Sequence, residues 1–313
     1  MMKRKRRALA PAGDFAETRF KRKADLFTRD HLTLRLTSLA VIVLATALAG
    51  HAERLPIKTY TAADGLVRDN INHITQDSKG FIWFSTPEGL SRFDGYKFTN
   101  YGSDQGLPAR NVNDFIESRN GFYWVATSAG LCRFLPDPSP TVGDRAQDAS
   151  QRFAVYYPGE TAAARSIAVI CEDRAGTIWC GTERGLFRLD QVEGQWGFAF
   201  VDIMQPGIPN NLPVWAIIED RQGSLWIGTE SGLYRRRPDG VVEQYTPAEG
   251  LPVNPVVSAL LEDRDGRIWA GTAYGLYQLV AEPQPHRSVV ARLYTTKDGL
   301  PAKAITALCQ SSD

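Results

Sequence analysis

Three adjacent carboxylate pairs, Glu172-Asp173, Glu219-Asp220 and Glu262-Asp263, are by type the residues of this 313-residue chain best suited to chemistry. Two carboxyl groups flanking one glycosidic bond can serve as acid and base, or as acid and nucleophile. Their recurrence argues against that use. Each pair sits at the same place in a repeated phrase, where an Asp side chain accepts the N–H groups of a turn. A catalytic pair is expected once, not once per repeat.

The other reactive residue types give no stronger constellation. The histidines His31, His51, His73 and His286 have no second ligand at metal-binding spacing, so no metal is expected. No glycine loop has either of the common phosphate-binding spacings, and no cofactor is expected. Of the four cysteines, Cys171 and Cys180 stand where the next repeat has Ile218 and Ile227, which marks them as small core residues. They also flank one turn, so a cross-strand disulfide stays open in an oxidising compartment, although such bonds are strained. Arg92, Arg133, Arg188 and Arg235 recur two residues after a Gly-Leu pair, with Gln278 in the last copy. A ring of guanidiniums suits anions. The plainer reading has each Arg stem covering apolar surface while its head bridges to a neighbouring blade's acidic turn.

The phrase that positions all of these occurs five times, at residues 76–91, 117–132, 172–187, 219–234 and 262–277. Its tryptophans are Trp83, Trp124, Trp179, Trp226 and Trp269, at steps of 41, 55, 47 and 43 residues. Every copy has Gly three residues before Trp, Thr three after it, and Gly-Leu six and seven after it. Val214, Ala216 and Ile218 alternate as one strand, and Ser224–Gly228 forms the next after an Asp-Arg-x-Gly turn. The glycine of Thr-x-x-Gly suits the left-handed position that closes a tight hairpin. Third and fourth strands follow from Leu233 and from Val241. Four antiparallel strands per period of roughly 40–50 residues make an all-β protein, a β-propeller with five recognisable blades and an incomplete ring. Tryptophan, large and mostly apolar, would fill the space between blades.

The consensus Asp-x-x-Gly-x-[Ile/Leu]-Trp-x-Gly-Thr-x-x-Gly-Leu resembles the two-component-regulator propeller repeat, over residues 56–313. Blade one departs from it with Phe84-Ser85 for x-Gly, and blade two with Ala126 for Gly. The resemblance implies the periplasmic sensor region of a membrane-spanning histidine kinase, hybrid or ordinary, or in some members of a diguanylate cyclase. It further implies a polar small molecule or carbohydrate as ligand and a homodimer in the full-length receptor. The kinase and the membrane span would lie downstream, so this stretch is expected to have no enzymatic activity of its own. The rival reading, an exported propeller lyase or hydrolase, needs a non-repeating His, Tyr, Arg or Asp cluster in one blade, and the sequence offers none.

Outside the repeats, residues 1–52 read as a basic segment followed by a secretory signal. Residues 1–35 hold 11 Lys/Arg against 4 Asp/Glu, and the remainder holds 25 against 31, a mildly acidic surface unsuited to nucleic acid. The uncharged run 39–48 and the small residues after it predict cleavage after Ala49 or Ala52, hence a periplasmic location, with the parent in the inner membrane. The run is too short for a comfortable membrane span. A lone strand ending at Tyr60-Thr61 is expected to complete the last blade. The Pro/Asp-rich insertion 136–150 explains the long second step and reads as a surface loop. Alignment of Ile305 onward with blade five places the last residues inside a sixth hairpin, which reads as a fragment.

The loops that join one blade to the next gather Arg and Asn: Arg68 and Asn70, Arg110 and Asn111, Arg165, Asn210 and Asn254. They share a propeller face with the Thr-x-x-Gly turns, near the channel mouth. Their donors and acceptors suit a polar ligand. The alternative is that each Asn caps its own loop.

Overall fold

The computed structural model describes residues 57–135, 152–203, 212–253, 255–280 and 287–310. The signal-like segment, the insertion 136–150, Asn210, Asn254 and His286 lie outside the described residues. Two compact units divide at Thr59, and all the regular structure described belongs to the second, from Tyr60 onward.

Each copy of the repeat folds as expected, into one four-stranded antiparallel sheet in meander order. Blade one holds β1 (His73–Gln76), β2 (Ile82–Thr86), β3 (Gly89–Phe93) and β4 (Phe98–Tyr101). Blade two holds β5 (Val112–Glu117), β6 (Tyr123–Thr127), β7 (Gly130–Phe134) and β8 (Phe153–Tyr156). Blade three holds β9 (Ile167–Glu172), β10 (Ile178–Thr182), β11 (Gly185–Val192) and β12 (Gln195–Val201). Blade four holds β13 (Val214–Glu219), β14 (Leu225–Thr229), β15 (Gly232–Arg236) and β16 (Val242–Tyr245). Blade five holds β17 (Val257–Glu262), β18 (Ile268–Thr272), β19 (Gly275–Leu279) and β20 (Val290–Tyr294). Innermost strands touch in succession, β5 on β1, β9 on β5, β13 on β9 and β17 on β13, and the ring is not closed.

The hydrophobic core is the space between sheets. Trp83 and Leu90 of blade one cluster with Val112, Phe115 and Phe134 of blade two. Trp124 and Leu131 cluster with Ile167, Ile170 and Cys180 of blade three. Trp179 meets Val214 and Ile217, and Trp226 meets Val257 and Ile268, in the same way. In four of the blades a tyrosine from the outer strand lies against the ring, as Tyr245 over Trp226 at 5.6 Å and 18°; blade three has Val201 at that place.

The tight approach explains the second glycine of the phrase. A Cβ on Gly228 would stand 2.6 Å from the Val257 carbonyl oxygen of the next blade. At the Thr-x-x-Gly turn the requirement is conformational: Gly232 has φ +149°, and the Thr229 hydroxyl donates to its carbonyl at 3.0 Å. Where blades meet, Thr246 and Glu249 form a reciprocal cap, Glu249 accepting the Thr246 N–H at 2.8 Å, before Gly250. Thr61 with Asp64 and Thr295 with Asp298 repeat it, which is why the Asp-Gly-Leu phrase recurs.

One expectation changes, and one open alternative is closed. Residues 57–61 form no strand; only the aromatic contact survives, with Tyr60 4.9 Å from Phe93 and 5.8 Å from Phe98. Tyr101 touches Phe134 and Phe153 of blade two in the same manner, so Tyr60 occupies the equivalent place on blade one. The cysteines are free. Register pairs Cys171 with Trp179 and Cys180 with Ile170, which puts the two thiols on opposite faces of the sheet and excludes a bond between them. At the far end, Ile305 lies along blade five where Val257 lies along blade four: its N–H donates to the Thr272 carbonyl at 3.0 Å.

Replacing Trp226, fully buried, by alanine is expected to cost ~3–5 kcal/mol in urea unfolding. Gly228→Ala should cost ~1–3 kcal/mol, because the carbonyl it meets is backbone and cannot move aside alone. A Gly228→Ala protein with unchanged denaturation midpoint would show that the blades can part at no cost.

Candidate functional site

The Asp-x-x-Gly turns, where the carboxylate pairs lie, are structural throughout. One oxygen of Asp220 accepts the N–H groups of Gln222 and Ser224 at 3.0 and 2.7 Å, and the other accepts the Trp226 indole N–H at 2.8 Å. Asp77, Asp173 and Asp263 bind Trp83, Trp179 and Trp269 at the same 2.8 Å. The preceding glutamate serves the neighbouring blade instead. Glu172 accepts the Arg119 N–H at 2.9 Å, and Glu219 accepts the Arg174 N–H at 2.6 Å. The arginines of these turns complete the clasp. Arg174 donates to the Arg221 carbonyl, and Arg221 to the Asp263 and Arg264 carbonyls. No oxygen pair is left facing a common substrate position.

Contrary to expectation, the recurrent arginines at 92, 188 and 235 meet groups of their own blade. Each is paired in register with its own blade's tryptophan, as Trp226 with Arg235, so both side chains share one face of the sheet. Arg235 lies 5.2 Å over the Trp226 ring and 3.4 Å from Asp220. Arg92 covers Phe81, Arg133 covers Phe122, and Arg188 pairs with Asp190 of its own strand. The bridging role passes to Arg119, Arg174 and Arg221.

The three cysteines within the repeats are poor nucleophiles. Burial pushes the Cys171 thiol up to about 12 and raises Cys132 and Cys180 further in the same direction. Among the described residues, no cluster of three or more His, Cys, Asp or Glu could hold a metal ion.

The opposite face carries the inter-blade loops. Arg110 stands 3.5 Å from Glu88 of the β2–β3 turn, and the Ser166 hydroxyl donates to Glu183 of the β10–β11 turn at 2.9 Å. These contacts place loop and turn on one face, as the strand order requires. Arg68, Asn70 and Arg110 are exposed there. Asn111 is not available in the same way. It neither faces solvent fully nor caps its own loop, because it joins a chain across blades. The Asn72 amide donates to Asn111 at 3.1 Å and to the Val112 carbonyl at 2.8 Å; Asn111 donates to Asn113, which donates to the Ile167 carbonyl. Arg165 is held by Gly159 and Glu160 and covers the Tyr157 ring.

One pair escaped sequence reading. His73 of β1 stands 3.5 Å from Asp114 of β5, which is 5% exposed. Aligning the inner strands would have found it, since the other blades have Val169, Ala216 and Ala259 at that place.

The comparisons agree with this geometry. A two-component regulator propeller family model matches residues 65–88, 207–231 and 250–274. The extracellular domain of a hybrid two-component system of B. thetaiotaomicron superposes with a TM-score of 0.57 at 27% identity, over 72% of this chain and 30% of that one. The repeats of blades one, four and five thus match the two-component regulator propeller repeat. A histidine kinase of Formosa agariphila is 36% identical over 58 residues, which is 18% of this chain and 4% of the kinase. The chain also shares its fold with PorZ, a surface component of the type-IX secretion system of Porphyromonas gingivalis, at 15% identity and a TM-score of 0.55. The chain therefore spans under a third of the first solved relative and a small part of the curated one. Among the described residues, no helix is long and apolar enough to cross a membrane.

Asn111→Ala is expected to lower stability by ~1 kcal/mol, since Asn72 and Asn113 lose their shared partner. Arg68→Ala should stay within ~0.5 kcal/mol of wild type. Urea titration of both variants checks the contrast, and equal losses would mean that the polar chain is solvated rather than structural.

Proposed function

We propose that this regulator propeller is the extracytoplasmic ligand-sensing region of a membrane signalling receptor of the two-component, histidine-kinase type. The observation that carries the reading is the 27% identical match to the extracellular domain of a hybrid two-component system over most of the chain. The repeats themselves supply a scaffold. Their carboxylates and arginines are consumed in turns and blade contacts, and their thiols are buried, so the propeller binds and transmits rather than catalyses. An exported lyase or hydrolase would need reactive groups outside that repeating pattern, and no described cluster supplies an acid, base and nucleophile together.

The stimulus is a polar small molecule or carbohydrate bound on the loop face at Arg68, Asn70 and Arg110, with Asn111 holding blades one and two in register beneath it. Exposed guanidinium and amide groups on a rigid sheet scaffold can vary in chemistry at little structural cost. Residues 1–52 direct export, and signalling proceeds from a homodimer in the inner membrane.

Two measurements test the proposal. In the receptor carrying this propeller, Arg68→Ala with Arg110→Ala should reduce reporter output to the native stimulus at least ~10-fold, about 1.4 kcal/mol of binding. The melting temperature should stay within about 2 °C, because neither side chain is buried. A normal response would remove the loop face as the site. Fusing residues 1–60 to alkaline phosphatase should give activity outside the cytoplasm, and a silent fusion would contradict export.

A further inference from the structure

The His73–Asp114 pair interrupts the repeat at a structural junction. Asp114 is the third residue of the second blade's inner strand, and its carboxylate touches three blades at once. One oxygen accepts its neighbour Phe115's N–H at 2.8 Å and faces His73 of blade one at 3.5 Å. The other accepts the Ile170 N–H of blade three at 2.9 Å. The remaining blades fill this position with aliphatic side chains, which pack without any charge. Burying a carboxylate there is costly unless a cation and hydrogen bonds compensate it.

We propose that His73 and Asp114 form a pH-responsive latch that fixes the first three blades relative to one another. The groups that face Asp114 can be named from every side. β1 contributes the imidazole, with the side chain 47% exposed. β9 contributes the Ile170 N–H, and β10 contributes Cys180, kept neutral by burial. β6 contributes the uncharged Ala126 opposite it in register. The imidazole is therefore the cation that can answer an ionised Asp114, and it opens to solvent, where its proton exchanges.

The direction of the response follows from the carboxylate. Burial raises Asp114 above the ordinary carboxylate range, while His73 and the Ile170 and Phe115 N–H groups oppose that rise. A group raised in this way supports the fold in its protonated state, and that support is lost as pH rises through its folded value. A protonated imidazole offsets the loss. Histidine ordinarily gives up its charge between about pH 5 and 8. Wherever the imidazole is neutral, an ionised Asp114 has no cation beside it. The latch is thus tight in mildly acidic medium and loosens toward alkaline pH, freeing blade one to shift against blade two near the Asn72–Asn111 chain.

The test uses the whole chain and needs no ligand, so its outcome is independent of the sensing proposal. Thermal melts of wild type, D114N and H73Q are recorded from about pH 6 to about pH 8.5. The wild-type melting temperature should fall by about 2–4 °C over that interval, and D114N, whose amide oxygen still accepts the Ile170 N–H, should change by less than about 1 °C from the background slope. H73Q should melt below wild type at the acidic end and match it at the alkaline end. Hydrogen exchange of the peptide spanning residues 167–172, read relative to D114N at each pH, should accelerate in wild type as pH rises. If D114N and H73Q both keep the wild-type slope, the latch is refuted. If D114N does not fold, H73Q alone decides: a deficit that is constant across pH overturns the proposal, and one confined to acidic pH supports it.

Discussion

The bond from a tryptophan indole to the aspartate six residues before it organises this molecule. Each aspartate spends one oxygen on two backbone N–H groups of its own turn and the other on the indole. Turn geometry and ring position are thereby set by one side chain. The ring so placed becomes the wall against which the next blade's inner strand packs, and in blade four the arginine paired with it in register lies over its face. A carboxylate in such a site would be expensive unpaired, and it is saturated instead. Blade two shows what replaces the bond when it is lost. Ser118 stands for the aspartate and closes only the turn, through Phe122. Trp124 is then flanked by Tyr156 and by Trp196, an edge-on ring 5.2 Å away from the lengthened outer hairpin of blade three.

The fold was legible because the repeat is a pattern of backbone requirements. Glycines at left-handed positions, threonines that close a turn on their own carbonyl and an aromatic at fixed phase leave one arrangement of strands. Side-chain destinations were harder to read. The charge of Arg235 is visible in the sequence and suggests a bridge between blades, whereas its register partner, Trp226, is fixed only by strand pairing. The turn arginines at 119, 174 and 221 carry the contact between blades through backbone carbonyls of the next turn, which no residue type marks in a sequence.

The candidate site divides in the same way. Arg68 and Arg110 stand on the expected face because strand order alone decides which loops share an end of the sheet. Asn111 was grouped with them by type, and only the coordinates reveal that its amide is committed to Asn72 and Asn113. His73 has no second ligand at metal-binding spacing in the sequence. Its partner is 41 residues away, at the matching position of the next repeat. In repeat proteins the informative distance is one period, not a few residues.

The clasp on the turn face has a direction. Arg119 of blade two grips the turn of blade three, Arg174 of three grips four, and Arg221 of four grips five. Each glutamate reaches back to the blade before it. No blade therefore closes its own clasp; it waits for the one that follows it in the chain. A polypeptide emerging N-terminus first would assemble such a structure vectorially, each new sheet finishing the one already out. The leading edge would always be the least secured part of the growing stack, and a pause in delivery would leave a single unfinished seam rather than a disordered whole.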